Sequence, residues 1–499
     1  MVILMDYLQI LGFGLIFVIS AILLKKKSRA KLNEPPLVSY KFPIIGHTFD
    51  YYKDVQGFLA KCRDEYGEIF SLYMWGTVQT YVGKTTYSEV YKNHHTFDFN
   101  KAMEDIMPMH HFLNRPEGFL NDIDKYAREF MSDLDKFAER VQKNLNKSYN
   151  EFIGDGKVIR SPLKVIQQII SRPIAATIVG EELCNDNEIL DSFANMTADL
   201  VPLLSFPPIL NFIYPGLHQK FLIFKFKYFN NPIRTHRSII LSKIITVINK
   251  RINDKNRLRN SWKRPDDILQ ELTERFMIDE NTVDIDSVAD FIINFIFASV
   301  HTTSFIFTQC LYDYVNNPEY HEELLEEATS IYNKYKDTPY YTIDKIAEMD
   351  KLDNFIKETL RTNINATSMF RKTVSDFTFL SGYQVPKGRT IQTMTQHIHF
   401  DPKSYGPDPK KFNPYRHINS QSTRPERDYV AFGIGKTVCP GRFFAINEIK
   451  VAMHFMQLRY KIRSVSGNRV EPIVFAGFIF PNDEGLIFEK REDSVIQEF

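Results

Sequence analysis

The sequence predicts a mainly α-helical protein with small β-sheets, an α+β fold, preceded by a transmembrane helix. Three observations support this prediction. Long stretches place apolar residues at helical spacing, a few short stretches are rich in β-branched and aromatic residues, and one apolar run near the start carries no charge. Hydrophobic residues make up 43% of the 499 residues, which is enough to fill a large core.

The first predicted element is a transmembrane helix over about residues 7–24. These 18 residues carry no charge, and as a helix they span roughly 27 Å of a hydrocarbon layer about 30 Å thick. The basic run KKKSRAK follows at 25–31 and places the rest of the chain on the cytoplasmic side. A cleaved signal peptide is the alternative, but it needs basic residues before the apolar run and a small-residue cleavage site after it. Residues 1–31 are therefore predicted to be a membrane anchor with its basic flank.

Residues 32–48 are predicted to be a proline-rich hinge. The three prolines in EPPLVSYKFPIIG fix φ and exclude a continuous helix. From 49 to 499 the sequence contains no flexible linker, internal repeat or low-complexity tract. A single large domain is the simplest organisation of that part.

Within this domain, strands are expected at 65–83, 377–385 and 485–490, where β-branched and aromatic residues flank turn residues. Helical spacing covers the stretches 124–145, 239–252, 288–312, 319–334, 351–362 and 441–458. The stretch 288–312 has no charged residue between Phe291 and Tyr312, so it is predicted to be a central helix buried on all sides. A second membrane span is the alternative, which polar residues such as Asn294 and Gln309 disfavour.

Composition limits the classes of partner. Lys and Arg number 62 against 61 Asp and Glu, a formal charge of +1, so nucleic acid is not an expected partner. The four cysteines, at 62, 184, 310 and 439, are scattered and form neither a disulfide framework nor a CxxC zinc site. This cysteine usage fits a reducing compartment.

The segment FGIGKTVCPG, residues 432–441, places Cys439 among glycines. Pro440 suits the first turn of a helix, so Cys439 is predicted to be a helix N-cap, where free N–H groups lower the thiol pKa and favour a metal-binding thiolate. Gly435 and Gly441 allow a flat partner such as a porphyrin to approach the backbone, and Phe432 offers an aromatic wall. A buried, inert cysteine in a glycine-rich loop is the alternative.

This segment resembles the haem-binding loop of cytochrome P450s, F-x-x-G-x-[basic]-x-C-x-G, in which the cysteine thiolate is the axial iron ligand. The resemblance implies that the domain at 49–499 binds haem b (iron protoporphyrin IX) with Cys439 as the metal ligand. Thr437 stands where the family has a basic residue. The expected cofactor-binding residues are Cys439, Phe432, Gly435, Gly441, Arg371, Lys436, Lys125 and Arg128. The last two are candidates because the family's Trp-x-x-x-Arg element is not found in their helix.

Two further motifs resemble structural elements of that family. Glu358 and Arg361 in KETLR form its Glu-x-x-Arg pair, and Arg416 in FNPYR matches its downstream Pro-x-Arg arginine. The resemblance implies a buried triad of Glu358, Arg361 and Arg416 that supports the haem loop. Without that context, a solvated surface pair is the ordinary interpretation of a Glu and an Arg at this spacing.

Residues 298–303, ASVHTT, resemble the family's oxygen-activating helix motif, [AG]-G-x-[DE]-T-[TS], with Ser299 in place of glycine and His301 in place of the acid. The resemblance implies that Thr302 and His301 are catalytic residues that relay protons. The alternative for Thr302 is a hydroxyl bonded to the carbonyl four residues back, as is common in buried helices.

By these motifs the chain is most similar to fungal microsomal P450s. The resemblance implies a monooxygenase that inserts one atom of O2 into a hydrophobic small molecule, such as a terpenoid, a sterol-like compound or another secondary metabolite. Its electrons would come from an NADPH-dependent flavoprotein reductase, with cytochrome b5 as a further donor. The implied location is the endoplasmic reticulum membrane and its lipid, with a single-pass anchor and a cytoplasmic catalytic domain. The residues expected to contact substrate are Phe295, Ala298, Ser299, Ala366, Met369 and Phe478.

Two other functions are compatible with these motifs. A haem-thiolate isomerase or dehydratase would need Cys439 but no electrons, and the retained Thr302 argues against it. A non-catalytic, membrane-anchored haem or lipid binder is the second alternative, and the changes at Ser299, His301 and Thr437 favour it slightly.

Overall fold

The computed structural model describes residues 32–119, 122–204 and 207–492. The predicted transmembrane helix at 7–24, and the rest of the predicted anchor, lie outside these residues. Within the described ranges most residues are helical, and the sheets are small.

The α-helices follow one another along the chain and differ widely in length. In chain order they are α1 (Thr48–Lys53), α2 (Val55–Tyr66), α3 (Tyr87–Lys92), α4 (Phe99–Ile106), α5 (Met109–Leu113), α6 (Ile123–Phe130), α7 (Asp135–Phe152), α8 (Pro162–Ile178), α9 (Asn187–Leu204), α10 (Leu217–Tyr228), α11 (Pro232–Leu258), α12 (Ile268–Arg275), α13 (Ile285–Asn316), α14 (His321–Tyr335), α15 (Ile343–Ala347), α16 (Asp350–Thr362), α17 (Thr395–His399), α18 (Pro402–Tyr405) and α19 (Arg442–Arg459). Short 3-10 helices lie at Ile209–Phe212, Arg259–Ser261, Pro318–Tyr320, Pro414–His417 and Gly435–Thr437.

The strands are short and come from distant parts of the sequence. They are β1 (Ile69–Met74), β2 (Thr77–Val82), β3 (Phe97–Asp98), β4 (Gly156–Ile159), β5 (Ser368–Thr373), β6 (Phe377–Thr378), β7 (Gln384–Val385), β8 (Thr390–Thr393), β9 (Tyr460–Ser464), β10 (Ile473–Phe475), β11 (Phe478–Phe480) and β12 (Leu486–Lys490).

These strands form one five-stranded sheet in the order β1-β2-β8-β5-β3, a three-stranded sheet in the order β4-β12-β9, and the pairs β10-β11 and β6-β7. In the five-stranded sheet β2 and β8 are parallel, with Gln79 opposite Thr390, and the other neighbours are antiparallel. The predicted strand region 65–83 is therefore a hairpin. It turns at Trp75 and Gly76, both of which have positive φ.

The predicted hinge region lies against the five-stranded sheet. The N–H of Val38 donates to the carbonyl of Ser71 at 3.0 Å, and the N–H of Ser71 donates to the carbonyl of Pro36 at 2.8 Å. Glu34 pairs with Arg389, next to β8. Residues 34–38 are thus fixed to the sheet by backbone and side-chain bonds.

Helix α13 lies at the centre of the helical layer and packs against α8, α9, α11, α16 and α19. Its N-cap is Asp284, whose carboxylate accepts the N–H of Ser287 at 3.1 Å. Of the helices in the described ranges, α13 alone is long and apolar enough to cross a membrane, with a mean hydropathy of 1.5. The helices packed around it bury 56% of that apolar window inside the protein, in agreement with the predicted central helix.

A buried charge cluster joins three helical elements beside α13. The carboxylate of Asp290 accepts hydrogen bonds from Arg115, which follows α5, and from Nε of Arg237 on α11 at 2.5 Å. Nη2 of Arg237 also pairs with the exposed Asp286 at 2.6 Å. This arrangement ties the segment after α5 to α11 and α13, and we call Arg115, Arg237 and Asp290 the α13 clamp.

The predicted helix at 124–145 is two helices in the structure. Helix α6 ends at Phe130 and α7 begins at Asp135. Between them the hydroxyl of Ser132 donates to the carbonyl of Glu129 at 2.7 Å, and so occupies an acceptor at the end of α6. The apolar spacing runs through this break, which is why spacing alone predicted one helix.

Candidate functional site

The loop at 432–441 closes on itself ahead of α19. The N–H of Cys439 donates to the carbonyl of Phe432 at 2.9 Å. Gly433 and Gly435 have φ values of +75° and +67°, a region that side chains other than glycine rarely occupy. Phe432 is half-buried and packs against the main core, so the loop is anchored on its N-terminal side.

The prediction that Cys439 is a helix N-cap is wrong, because α19 begins at Arg442 and its N-cap is Gly441. The backbone N–H groups of Gly441 and Arg442 nevertheless act on the Cys439 thiol electrostatically. Burial raises the pKa of the thiol, and these N–H groups together with the Arg442 guanidinium lower it without reversing the shift. The free thiol pKa is therefore raised, contrary to expectation. The donors would stabilise a thiolate if a metal ion displaced the proton.

The Cys439 side chain is exposed although the surrounding protein is dense enough to raise its pKa. A bound group can therefore reach the thiol while the surrounding protein shields it. Gly441 and Gly435 support this interpretation. A Cβ built at Gly441 meets no atom within 4 Å, and at Gly435 its nearest neighbour is the carbonyl oxygen of Tyr91 at 3.8 Å. A flat group can approach both glycines.

Arg371 on β5 places a buried cation beside this loop. Only 3% of the residue is exposed, and burial lowers the pKa of its guanidinium. Nη2 donates to the hydroxyl of Thr437 at 2.9 Å, and Nη1 donates to the carbonyls of Met369 and Phe370 at 3.2 and 2.9 Å. Within the described ranges no carboxylate lies at ion-pair distance from Arg371. A buried cation without an acidic partner is the feature expected of an anion-binding residue.

Two aromatic rings hold the Arg371 guanidinium in place. It lies 4.9 Å from the ring centre of Tyr91 and 4.8 Å from that of Phe99. The Tyr91 hydroxyl also donates to the carbonyl of Met369 at 3.0 Å. Strand β5 and helices α3 and α4 thus fix this cation beside the Cys439 loop.

The other candidate cations differ in position. Nη2 of Arg128 on α6 donates to the carbonyl of Lys436 at 2.8 Å, so Arg128 and the loop are in direct contact. The Lys436 side chain is exposed, and so is Lys125, for which the described residues provide no loop contact. The sequence analysis missed Asp124, whose negative charge contributes a rise to the pKa of the Cys439 thiol and to that of the Arg371 guanidinium. Its position four residues before Arg128 was the available signal.

The structure brings the predicted triad together. Glu358 and Arg361 are fully buried, with Nε–Oε2 and Nη2–Oε1 distances of 2.7 and 2.8 Å, and Nε of Arg416 lies 3.7 Å from Oε1. The sequence analysis missed His417, whose Nε2 lies 2.8 Å from Oε2 of Glu358. Burial raises the pKa of Glu358, but the bonds from Arg361 and His417 outweigh burial and leave that pKa below its ordinary value.

The middle of α13 has an exposed face although most of the helix is buried. Ala298 and Thr302, four residues apart on one face, are exposed, while Ile296, Val300 and Thr303 are buried. The Thr302 hydroxyl donates to the carbonyl of Ala298 at 2.7 Å. This is the ordinary helical bond that was the alternative to a catalytic role, and it leaves the oxygen's acceptor capacity free.

Helix α6 connects this region of α13 with the cysteine loop. Arg128 on α6 contacts the loop, and Phe130, two residues later, contacts Phe295 on α13 at 5.9 Å between ring centres. The exposed face of α13 begins three residues after Phe295. Cys439 and Thr302 are therefore linked through a single intervening helix.

His301 does not lie on the exposed face of α13 that carries Thr302. Its Nδ1 lies 3.3 Å from Nε2 of Gln167 on α8, and the described residues show no hydrogen bond between His301 and Thr302. Burial lowers the pKa of His301, so the imidazole is neutral at neutral pH. The sequence analysis missed Gln167.

The predicted substrate residues occupy different environments. Phe295 is buried, and Ser299 is half-buried with its hydroxyl donating to the carbonyl of Phe295 at 2.6 Å. Ala366 is buried and its N–H donates to the carbonyl of Gly477 at 2.7 Å, which fixes the turn before β11. Met369 is half-buried with a φ of +56°, and Phe478 is half-exposed. A further aromatic pair, Phe305 and Phe480, joins α13 to β11 with ring centres 6.0 Å apart.

The donor set fits a haem. The loop supplies an accessible thiol and glycines that leave a flat group room, and beside it lies a buried cation without a carboxylate partner in the described ranges. Haem requires a donor to its iron, a flat space and cations for its two propionates. The described residues contain no group of three or more His, Cys, Asp or Glu side chains that could hold a metal ion.

Comparisons with known proteins agree with this site. Residues 35–487 match the protein-family model described as Cytochrome P450. The chain is 29% identical over 341 residues to cytochrome P450 monooxygenase atmQ of Aspergillus flavus, in an alignment covering 65% of this chain and 60% of that relative. It is 24% identical over 502 residues to cytochrome P450 monooxygenase 151 of Postia placenta, covering 95% of this chain and 97% of the relative.

A solved structure has the same fold. Retinoic acid-bound CYP120A1, a cyanobacterial protein, superposes with a TM-score of 0.67 at 19% sequence identity, over 93% of this chain and 100% of that one. At this level of identity the likeness concerns the fold alone.

Proposed function

This chain belongs to the cytochrome P450 family of monooxygenases, and from that premise we propose that it inserts one atom of O2 into a hydrophobic small molecule. The proposed substrate class is a terpenoid, a sterol-like compound or another secondary metabolite. Three of the residues predicted to contact substrate, Phe295 on α13, Ala366 just before β5 and Met369 on β5, are buried or half-buried apolar side chains, and they support a hydrophobic guest.

A single observation carries this proposal. An accessible thiol, on which the N–H groups of Gly441 and Arg442 act, lies in a loop whose Thr437 is bonded to the buried Arg371 guanidinium, which has no carboxylate partner among the described residues. We propose haem b as the group that fills this site. When bound, haem supplies the reductive activation of O2 that allows oxygen to enter an unactivated C–H bond.

The chain's own residues have separate tasks in this proposal. Cys439 would hold the haem iron through its thiolate, and the N–H groups of Gly441 and Arg442 would stabilise its negative charge. Arg371 would pair with a propionate. Thr302, on the exposed face of α13, holds a hydroxyl at which a water can be oriented.

Electrons are proposed to come from an NADPH-dependent flavoprotein reductase, with cytochrome b5 as a further donor. The cations on the surface beside the cysteine loop, Arg128, Lys436 and Lys125, support this part of the proposal. They offer a positive surface to an acidic redox partner, and the association should weaken with salt.

The protein is proposed to lie on the cytoplasmic face of the endoplasmic reticulum membrane, with residues 7–24 spanning the bilayer. Two groups of exposed apolar side chains support a membrane-facing surface: Phe42, Ile44 and Phe49 in one, and Ile209, Ile213 and Tyr214 in the other. Trp75 connects them, because its ring contacts Tyr52 at 5.7 Å and Phe212 at 5.2 Å.

The carbon monoxide spectrum of the reduced protein tests the cofactor assignment. Thiolate ligation predicts a red-shifted Soret band, which Cys439→His should abolish and the matched variant Cys62→Ala should retain, because Cys62 is a buried core thiol. A wild-type spectrum typical of histidine ligation would refute the assignment.

Oxygen consumption separates the proposed reaction from the alternatives. Purified protein with reductase and NADPH should consume O2 when a hydrophobic extract is added. Conversion of a compound in that extract without NADPH would instead identify an isomerase or dehydratase. Binding of haem without any conversion would identify a non-catalytic binder.

A further inference from the structure

His301 is held by a partner on the neighbouring helix. The contact joins Nε2 of the Gln167 amide to Nδ1 of the imidazole at 3.3 Å. Gln167 is 7% exposed, so this amide lies in the interface between α8 and α13. The centre of the Phe305 ring lies 5.7 Å from that of the imidazole.

This contact determines which nitrogen of His301 carries the proton. An amide nitrogen only donates hydrogen bonds, so Nδ1 must be the acceptor. A neutral imidazole has one N–H, and when Nδ1 accepts a bond the proton is on Nε2. The ring is therefore held with Nε2 as its donor and with Nδ1 occupied.

The surroundings keep the ring uncharged. Burial lowers the pKa of His301, and no charged or titratable group of the described residues contributes to that shift. The contacts recorded for the ring are to uncharged side chains, Gln167 on α8 and Phe305 on its own helix. A neutral ring with one occupied nitrogen cannot accept a proton at Nδ1 and release one at Nε2 in the same step.

We propose that Gln167 is a positioning residue that blocks Nδ1 of His301 and makes the imidazole a fixed Nε2–H donor instead of a proton carrier. This inference rests on the proposed monooxygenase function, because it concerns the side chain that stands where the family has an acid. In this arrangement the Nε2–H of His301 is the part of the ring that can donate to a water or another acceptor. The proton itself passes through water and the Thr302 hydroxyl.

The protonation of His301 can be measured without enzyme activity. Hydrogen–deuterium exchange at the imidazole C2 position, followed by mass spectrometry across a pH series, reports the charge state of each histidine separately. In the wild-type protein the curve of exchange rate against pH for His301 should have its midpoint at a lower pH than the curve for free histidine. A curve that coincides with free histidine would overturn the proposal.

Two glutamine variants provide a matched pair. In Gln167→Glu a carboxylate faces Nδ1 and accepts its N–H, so the His301 curve should move to higher pH. Gln168→Glu makes the same chemical change at the next position of α8, where no contact with His301 exists among the described residues, and it should leave the curve in place. Equal curves for the two variants would refute the role of Gln167. If Gln167→Glu does not fold, a wild-type curve that coincides with that of free histidine still refutes the neutral ring on which the proposal depends.

A second measurement separates this inference from the proposed function. His301→Gln keeps a neutral N–H donor, so its yield of product per NADPH should stay close to the wild-type yield. The yield of this variant should not change with pH in the range where histidine titrates. His301→Ala should lower that yield several-fold. A similar loss in both variants would mean that the ring carries protons. If neither variant changes the yield while the exchange curves behave as expected, Gln167 positions a ring that the reaction does not use.

Discussion

At the scale of single residues, the site depends on two side chains whose surroundings are unusual. Cys439 is an accessible thiol in dense surroundings, and Arg371 is a buried cation without a carboxylate partner in the described ranges. The buried Arg371 charge needs an anionic partner, and Cys439 needs a metal ion before it can carry a negative charge, because burial raises its pKa. A cofactor that is anionic and binds thiolate satisfies both.

Replacing Arg371 by leucine should weaken haem binding roughly 10- to 100-fold, since a charge-assisted hydrogen bond contributes about 1.5–3 kcal/mol. Haem retained per protein after gel filtration measures this loss, and circular dichroism checks that the fold persists. Arg463→Leu is the matched control, because Arg463 forms an exposed pair with Glu489 on the three-stranded sheet. Equal haem retention in the two variants would show that Arg371 does not bind a propionate.

Thr302→Ala should preserve the haem content, because the Cys439 loop and the Glu358 triad are untouched. Product formation should fall ~10-fold or more while NADPH consumption continues and hydrogen peroxide increases, as expected from losing one positioned proton-transfer group. The control is Thr303→Ala, the adjacent hydroxyl, which is buried. If Thr302→Ala turns over substrate with unchanged coupling, electron-free chemistry becomes the better explanation.

The sequence could identify residues that belong to a local pattern, such as Cys439 or the Glu358 and Arg361 pair. It could not identify Gln167 and His417. Gln167 acts on a residue 134 positions away, and His417 acts on one 59 positions away. Neither pair has a characteristic spacing in the sequence, because only the packing of the folded chain brings its two residues together.

At the scale of elements, the α13 clamp joins the segment after α5 to α11 and α13. Asp290 is buried between Arg115 and Arg237. On α11, Asn231 and Arg234 also donate to the carbonyl of Phe112, at 3.1 and 3.2 Å. One face of α11 therefore fixes α5, so that this segment and the central helix move together.

Asp290→Asn should destabilise the protein by up to about 3–5 kcal/mol, the range for breaking a buried pair, because Arg115 loses its partner and Arg237 keeps only the exposed Asp286. Thermal unfolding measures the loss, and limited proteolysis should cut faster after α5. Asp286→Asn is the matched control: Asp286 pairs with the same Arg237, but its side chain is 61% exposed, so about 1 kcal/mol or less is expected. Equal losses would show that burial at Asp290 does not matter.

The Glu358 triad makes stability depend on pH. The pKa of Glu358 in the folded protein lies below its ordinary value. The carboxylate therefore contributes its full stabilisation when the pH is above the ordinary pKa, and this stabilisation is lost as the pH falls through the lowered pKa. Denaturant titrations at neutral and acid pH should show a stability loss on the acid side. Glu358→Gln should be less stable at neutral pH and show a smaller acid-dependent loss. An unchanged pH dependence in Glu358→Gln would exclude Glu358 as its source.

The elements were predictable where one signal dominated. The apolar run at 291–312 predicted the central helix, which the structure has as part of Ile285–Asn316. The boundary between α6 and α7 was not predictable from spacing, because the side-chain bond of Ser132 that accompanies it leaves the apolar periodicity intact. The start of α19 differed for a similar reason, since Pro440 suits a first turn but the turn begins two residues later.

At the scale of the whole molecule, the membrane anchor remains a prediction, and deletion tests it. Removing residues 1–31 should release the protein from membranes or leave weak peripheral binding, because a spanning helix provides the near-irreversible part of attachment. Membrane fractionation with an alkaline wash measures this. Full retention after the wash would mean that another segment spans, and in the described ranges α13 alone has the length and hydropathy.

Substituting the apolar surface tests how the domain itself meets the membrane. Ile213, which is 76% exposed, has no packing role to lose, so Ile213→Asp should leave thermal stability unchanged. In the protein lacking residues 1–31, it should reduce the remaining binding to lipid vesicles. The control is Leu380→Asp, since Leu380 is also exposed and lies in the β6–β7 turn. Equal vesicle binding in all three proteins would exclude this surface.

The five-stranded sheet has a consequence for how the chain folds during synthesis. Strand β2 pairs with β8, which lies roughly 300 residues later, and β3 pairs with the equally distant β5. At a translation rate of about 5–20 residues per second, the β1–β2 hairpin waits ~15–60 s for its partners. During that interval its unpaired edge and its apolar residues are open to association with other chains. This hairpin therefore stays open to association with other chains until the last third of the chain emerges.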